Sequence, residues 1–219
     1  MKRLVVISAG TGNPSSTRQL ADRLAQKSLD LLGEATVSVI ELGPLAADTA
    51  RAAVAGFPSE ELKQAIDRLA DADAIIAATP IYKAGMSGLF KTFVDVLDND
   101  LIVAKPVLLA ATGGTPRHAL VIDDQMRPLF AYMRALTLPT SVYAAPEDWG
   151  TGDLGKRVER AATELAVMVR AGVEQQIADQ AWSGYQHQFA GNASRAEQTA
   201  ADTDFDSPLM RLAAGGRTD

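Results

Sequence analysis

Two rhythms of apolar and polar residues alternate along this chain. Short runs, apolar at almost every position, occupy Leu4–Ala9, Val37–Glu41, Ala74–Thr79 and Val107–Thr112, with a weaker fifth at Ser141–Ala145. Strands that are apolar on both faces belong to a parallel sheet covered by helices on both sides. Between the runs the period becomes helical. Thr17–Leu32 carries Leu20, Leu24 and Leu32 on one stripe, and Ser87–Leu97 carries Leu89, Phe90, Phe93, Val94 and Leu97. Asp123–Leu136 carries Met126, Leu129, Phe130 and Met133, and a last helix runs from Leu154 to about Asp179 with Val158, Leu165, Val169 and Val173. Ser59–Leu69 opens with Ser-Glu-Glu-Leu, which reads as an N-cap followed by acids in the first turn, where the helix dipole favours them.

Strand and helix therefore alternate through five repeats, the pattern of a doubly wound α/β fold. Five strands point to a parallel sheet of flavodoxin-like order 2-1-3-4-5 rather than the six-stranded dinucleotide sheet. The Ala-rich linker Gly43–Pro58 has room for a short helix at Asp48–Ala55. The domain is expected over residues 1–180, and 181–219 reads as a C-terminal extension. In that extension Asn192–Asp204 is expected to be disordered or an extended arm, because polar residues dominate it. The apolar cluster Phe205, Leu209, Met210 and Leu212 is either a docking segment or part of a frayed tail.

Composition narrows the chemistry. A length of 219 residues that are 47% hydrophobic is enough for one sizeable core. A net charge of −6 argues against nucleic-acid binding. With no cysteine, disulfides, iron–sulfur clusters and thiolate zinc sites are excluded, and two histidines, His118 and His187, make a histidine-built metal site a poor expectation. The N-terminal apolar run is too short for a signal segment or a membrane span, so the expected location is cytoplasmic.

Three strand-to-helix turns carry the candidate site. The first is Ser8–Thr17, SAGTGNPSST. Ser15, Ser16 and Thr17 stand at a helix start, where unpaired N–H groups and the positive dipole end favour a phosphate. No lysine lies in the loop, although Arg18 is near. The competing reading is an N-cap and a glycine turn without a ligand. A dinucleotide fingerprint would need a third glycine where Ser15 stands, although Glu41 resembles the ribose-binding acid; a Walker loop is missing altogether. The second turn, in TPIYKAGMSG, offers Pro80 and Ile81 as contacts for a flat ring, Tyr82 beside it and Lys83 against phosphate charge; the alternative is a capped loop with an exposed tyrosine. The third, TGGTPRH from Thr112 to His118, has two glycines that permit close backbone approach, with Arg117 and His118 placed to meet an anionic second ligand. Taken alone, His118 reads as a structural hydrogen-bonder.

The segments LVVISAG…PSST, TPIYKAGMSGLFKTFVDVL and LLAATGGTPRHALVIDDQMRPLF together resemble the NADPH-dependent FMN reductase family. The nearest branch is the sulfonate-assimilation FMN reductases that supply reduced flavin to luciferase-like monooxygenases. The resemblance spans roughly residues 4–145. It implies a flavodoxin-like fold with FMN at the carboxyl edge of the sheet and NADPH or NADH as co-substrate. On this chain it makes Ser8, Ser15, Ser16 and Thr17 the phosphate loop. It makes Pro80, Ile81, Tyr82 and Lys83 the ribityl and ring wall, and Thr112, Gly113, Gly114 and His118 the loop beside the isoalloxazine. Two departures stand out: Ser-Ala-Gly-Thr-Gly replaces the Gly-Ser-Pro of many members, and Asp124 stands where some relatives place an aromatic. The extension past residue 180 resembles longer actinobacterial-type members.

The reaction implied is hydride transfer from nicotinamide to FMN, in which the protein supplies placement and no side chain is assigned as catalytic. Backbone amides of Gly113 and Gly114 are candidates for stabilising charge on the reduced ring. Two rivals stay open: a quinone or azo reductase with tightly bound FMN, and a non-catalytic flavodoxin-like electron carrier. The helix Asp123–Leu136, with Met126, Phe130, Tyr132 and Met133 around more than one face, predicts a homodimer or homotetramer.

Overall fold

A computed structural model describes residues 1–181; the expectations for Asn192–Asp204 and for the Phe205–Leu212 cluster lie outside these residues. The strands are β1 (Lys2–Ser8), β2 (Ala35–Glu41), β3 (Ala74–Tyr82), β4 (Gly85–Met86), β5 (Pro106–Thr112), β6 (Leu136–Thr137) and β7 (Val142–Ala144). The α-helices are α1 (Ser16–Leu32), α2 (Ala46–Ala55), α3 (Glu60–Ala70), α4 (Gly88–Asp95), α5 (Arg127–Tyr132), α6 (Gly152–Ala171) and α7 (Val173–Ala181).

The main sheet is parallel in the order β2-β1-β3-β5, and both β6 and β7 continue it on the far side of β5. This is the expected 2-1-3-4-5 order with its fifth position filled by two short pieces. The predicted strand Ser141–Ala145 is thus β7; β6 was not expected, and its first residue, Leu136, is the last of the predicted helix Asp123–Leu136. The gap between the pieces is satisfied by side chains. Arg127 donates to Thr137 Oγ1 and to the carbonyls of Leu138 and Pro139, while Glu164 accepts from the N–H and hydroxyl of Thr140. Buried backbone groups left without partners are costly, and these two residues remove that cost.

Alternation along each central strand builds two cores. Val5, Ile7, Ile75, Ala77, Val107, Leu109 and Ala111 point to one face, where α3, α4 and α5 pack through Leu62, Ile66, Phe90, Phe93 and Phe130. Leu4, Val6, Ala74, Ile76, Leu108 and Ala110 point to the other, covered by α1 and α6 through Leu20, Leu24, Val158 and Leu165. Both faces are apolar because both are covered. β2 is only partly buried, as suits an edge strand.

Helix boundaries follow the capping residues. Ser15 accepts from Arg18 N–H, Ser59 from Leu62 N–H and Ser87 from Phe90 N–H. The helix expected from Leu154 to Asp179 is broken at Gly172, whose φ of +62° ends α6 with a left-handed cap before α7 begins. The helix expected over Asp123–Leu136 is shorter. It begins as a π-helical turn at Ile122–Met126, where Arg127 N–H reaches Ile122 O, and ends by Arg134 at a φ of +58°.

Beneath the sheet, Lys105 is wholly buried and donates to Ala70 O, Ala72 O and Glu174 Oε1 at 2.9, 2.5 and 2.9 Å. This ties α7 and the α3–β3 connection to the start of β5. Among the described residues no helix is long and apolar enough to cross a membrane.

Candidate functional site

The register brings the three turns to one edge. Ser8 on β1 pairs with Ala78 on β3, and Pro80 on β3 pairs with Thr112 on β5, so β1 and β5 end within two residues of each other along β3, which itself runs on to Tyr82. Ligands bind outside the carboxyl ends of the strands in open α/β sheets, where the strand order reverses.

The first loop is shaped by close packing. A methyl group at Gly10 would come within 2.0 Å of Ser15 Oγ, so the loop folds against the start of α1 only because that residue has no side chain. Ser15 is the N-cap, and its hydroxyl accepts from Arg18 N–H at 3.1 Å. Gln19 N–H bonds Ser15 O, whereas the N–H groups of Ser16 and Thr17 have no partner among the described residues. Ser16 is exposed and Thr17 buried. Ser8 Oγ is buried with no hydrogen-bond partner among the described residues, so a polar group stands unused at the floor of this loop. Arg18 turns away to Asp22 and Glu41. Its hydrogen bond to the Asp22 carboxylate, aided by Glu41, holds the Arg18 pKa above its usual value. Glu41 is therefore an ion-pair partner of Arg18, which accounts for this acid without a ribose.

The second loop is a tight hairpin, because the strand expected to end at Thr79 runs on to Tyr82. Pro80, Ile81 and Tyr82 continue β3, and Ile81 and Tyr82 pair antiparallel with Met86 and Gly85 of β4. Lys83 and Ala84 form the two-residue turn with φ of +52° and +62°. Positive φ at both central residues marks a type I′ turn, usually built from Asn or Gly, and side-chain-bearing residues adopt it at about 1–2 kcal/mol each. Pro80 and Ile81 are buried, while Tyr82 is 56% exposed and Lys83 is exposed. Thr79 anchors the base of the hairpin: its hydroxyl accepts from Ser87 N–H at 3.1 Å and lies 3.2 Å from Ser87 Oγ.

The third loop leaves β5 at Thr112. Gly113 is enclosed, since a methyl there would lie 2.3 Å from Tyr143 Oη and 3.5 Å from Ile81 Cβ. Its N–H donates to Ala144 O at 3.2 Å, so of the two glycine amides expected to face a ligand this one is spent inside the protein. The exposed Gly114 N–H has no partner among the described residues. Tyr143 donates its hydroxyl to Thr115 O at 2.6 Å and so fixes the far side of the loop. Burial pushes the Tyr143 phenol up, with Asp148 and Glu147 adding to it and the Thr115 bond opposing, which keeps it a neutral donor. His118 is half-buried at the end of a short turn, Pro116–His118, and Arg117 is exposed.

The first and third loops meet directly, through a buried contact of 2.7 Å between the hydroxyls of Thr17 and Thr112. The second and third meet at Ile81 and Gly113. Tyr82 and Lys83 lie at the outer tip of the hairpin, beyond these contacts. Sequence reasoning missed Thr79, Ser87, Gln125 and Tyr143. Ser87 had a local signal, as the polar residue before an apolar helix, and Thr79 is its partner eight residues earlier; Gln125, which bonds Ala84 and Met86, and Tyr143 matter through partners distant in the chain. No cluster of metal-ligating side chains occurs among the described residues.

Comparison with known proteins identifies the family and the fold. The profile of the NADPH-dependent FMN reductase family matches residues 2–150. An FMN reductase (NADPH) of Pseudomonas aeruginosa is 39% identical over 150 residues, covering 67% of this chain and 78% of that protein. The NADH-dependent FMN reductase SfnE of Pseudomonas putida is 36% identical over 174 residues, covering 80% of this chain and 90% of that one. The crystal structure of an oxidoreductase from Corynebacterium diphtheriae superposes with a TM-score of 0.76 at 42% identity, over 78% of this chain and 98% of that one.

Proposed function

The chain belongs to the NADPH-dependent FMN reductase family, and from that premise we propose that it binds FMN across these three loops, reduces it with NADPH or NADH, and releases it. The observation that carries the reading is the convergence at one sheet edge of donors the protein itself leaves unused: the Ser8 hydroxyl and the N–H groups of Ser16, Thr17 and Gly114. These neutral donors and the positive end of α1 suit a phosphate ester, and the buried Pro80 and Ile81 suit an apolar ring.

FMN, when bound, supplies the hydride acceptor. The chain's own residues hold and orient. Ser8, Ser16 and the first N–H groups of α1 hold the phosphate, with Ser15 and Thr17 shaping that end. Pro80, Ile81 and Tyr82 wall the ring, and Lys83 offsets phosphate charge. Thr112, Gly113, Gly114 and His118 form the opposite loop, in which the Gly114 N–H is placed to meet negative charge. Arg117 is the contact for the phosphates of the nicotinamide dinucleotide. Hydride transfer between two held rings would require placement only, so no acid–base pair is assigned.

We further propose that the reduced flavin serves a luciferase-like monooxygenase in the cytoplasm. The support is the resemblance of TPIYKAGMSGLFKTFVD to the sulfonate-assimilation branch. A homodimer or homotetramer would form through Leu120 and Tyr132, which are 67% and 70% exposed, whereas Met126, Phe130 and Met133 are committed to the core.

The test is oxidation of NADPH, and then of NADH, followed at 340 nm with and without free FMN. A rate that rises and saturates with micromolar FMN supports a releasing reductase. Retention of flavin through gel filtration, with turnover on a quinone, would favour the tight-binding alternative. Absence of oxidation under all conditions would refute the enzyme.

A further inference from the structure

The hairpin at Lys83–Ala84 is held in an unfavourable backbone conformation without glycine or asparagine at either position, so something outside the turn must hold it. The residue that does so lies about 40 positions away. Gln125 Nε2 donates to Ala84 O at 3.2 Å, and Gln125 Oε1 accepts from Met86 N–H at 3.3 Å. One side-chain amide thus brackets Gly85 on the exit limb of the turn, and the pairing of β4 with Ile81 and Tyr82 passes that hold to β3. Gly85 leaves the approach uncrowded, because a methyl there would sit 3.2 Å from Gln125 Oε1 and displace it by a few tenths of an ångström.

Gln125 belongs to the π-helical turn Ile122–Met126, which follows the third loop and is anchored in the core by Ile122 and Met126. The clamp therefore couples the hairpin to the chain segment that leaves Gly113 and Gly114. We propose that Gln125 is a positioning residue for the flavin pocket: it sets the hairpin that presents Pro80, Ile81 and Tyr82 to the ring. The proposal rests on the flavin reading given above. Gln125 touches the hairpin, not the reacting atoms, so its loss weakens flavin binding more than it slows turnover at saturation.

The experiment uses the full chain and Gln125→Met, which keeps the length and removes both hydrogen bonds. Three quantities are read: hydrogen exchange of the Met86 amide, the Kd for FMN by flavin fluorescence, and kcat at saturating FMN. Exchange at Met86 should speed up about tenfold, Kd should rise about tenfold, and kcat should stay within twofold. Gly85→Ala, which keeps Gln125 but crowds its oxygen, should move the first two quantities the same way. Unchanged Met86 exchange would overturn the clamp. Faster exchange with an unchanged Kd would overturn the positioning role. If the wild-type protein binds no FMN, the flavin reading fails and the positioning role falls with it, while the exchange result still reports on the clamp.

Discussion

The hydroxyl oxygens of Thr17 and Thr112 lie 2.7 Å apart and buried, although 95 residues separate them in the chain. This contact locks the start of α1 to the end of β5, and with it the first loop to the third. Thr17→Val keeps the shape and leaves the Thr112 hydroxyl unpaired, for an expected loss of about 1–3 kcal/mol. Thr17→Val/Thr112→Val should lose less than the two single changes added together, because neither hydroxyl is then stranded. Urea unfolding of the four proteins measures this, and strict additivity would show that the hydroxyls do not interact.

Gly113 is expected to be intolerant of any side chain. In Gly113→Ala the methyl meets Tyr143 Oη, so the loop must shift and the KM for FMN should rise about tenfold or more. Tyr143→Phe removes that oxygen, leaving ring carbon as the next neighbour at 3.3 Å. The double variant should therefore bind FMN better than Gly113→Ala alone. Steady-state kinetics of the three variants provides the check, and absence of any recovery would mean that the Thr115 bond, lost with the same oxygen, matters more than the clash.

Lys105 should be essential to stability, not to chemistry. Removing one member of a buried ion pair strands the other, at about 3–5 kcal/mol. Lys105→Ala leaves Glu174 and the carbonyls of Ala70 and Ala72 without their donor. A large drop in Tm with kcat retained at low temperature is expected; a Tm within a degree of wild type would contradict the assigned role.

Acid sensitivity has a named contributor in Asp73. Burial raises its pKa, but the Arg3 N–H at 2.7 Å and the Lys2 ammonium at 2.9 Å outweigh burial and hold it below the usual carboxylate range. The unfolded chain then takes up this proton first, so the stabilisation is present above the unfolded value, near 3.8, and is lost as pH falls through the lower folded value. Asp73→Asn should flatten the stability–pH curve in that acid window and leave its slope near pH 7 unchanged. Thermal unfolding between pH 2 and about 7 reads both.

Much of this protein was legible without its structure. The doubly apolar runs at Leu4–Ala9, Ala74–Thr79 and Val107–Thr112 require a parallel sheet covered on both faces, because only burial on both sides makes such strands stable in water. Periodicity placed the helices, and Ser59 and Ser15 marked two of their starts, because a cap is a local hydrogen bond between residues three apart. The positions of the three loops followed from strand order. The tertiary structure alone decided which groups in those loops remain available. Gly113 N–H is spent on Ala144, the Thr17 hydroxyl on Thr112, and Arg18 on Asp22 and Glu41. It also decided that TPIYKAGM closes as a hairpin over two left-handed residues held by Gln125, and that the fifth strand is split around Arg127. Each of these depends on partners brought together by folding from distant parts of the chain, and sequence patterns of short period carry no information about them.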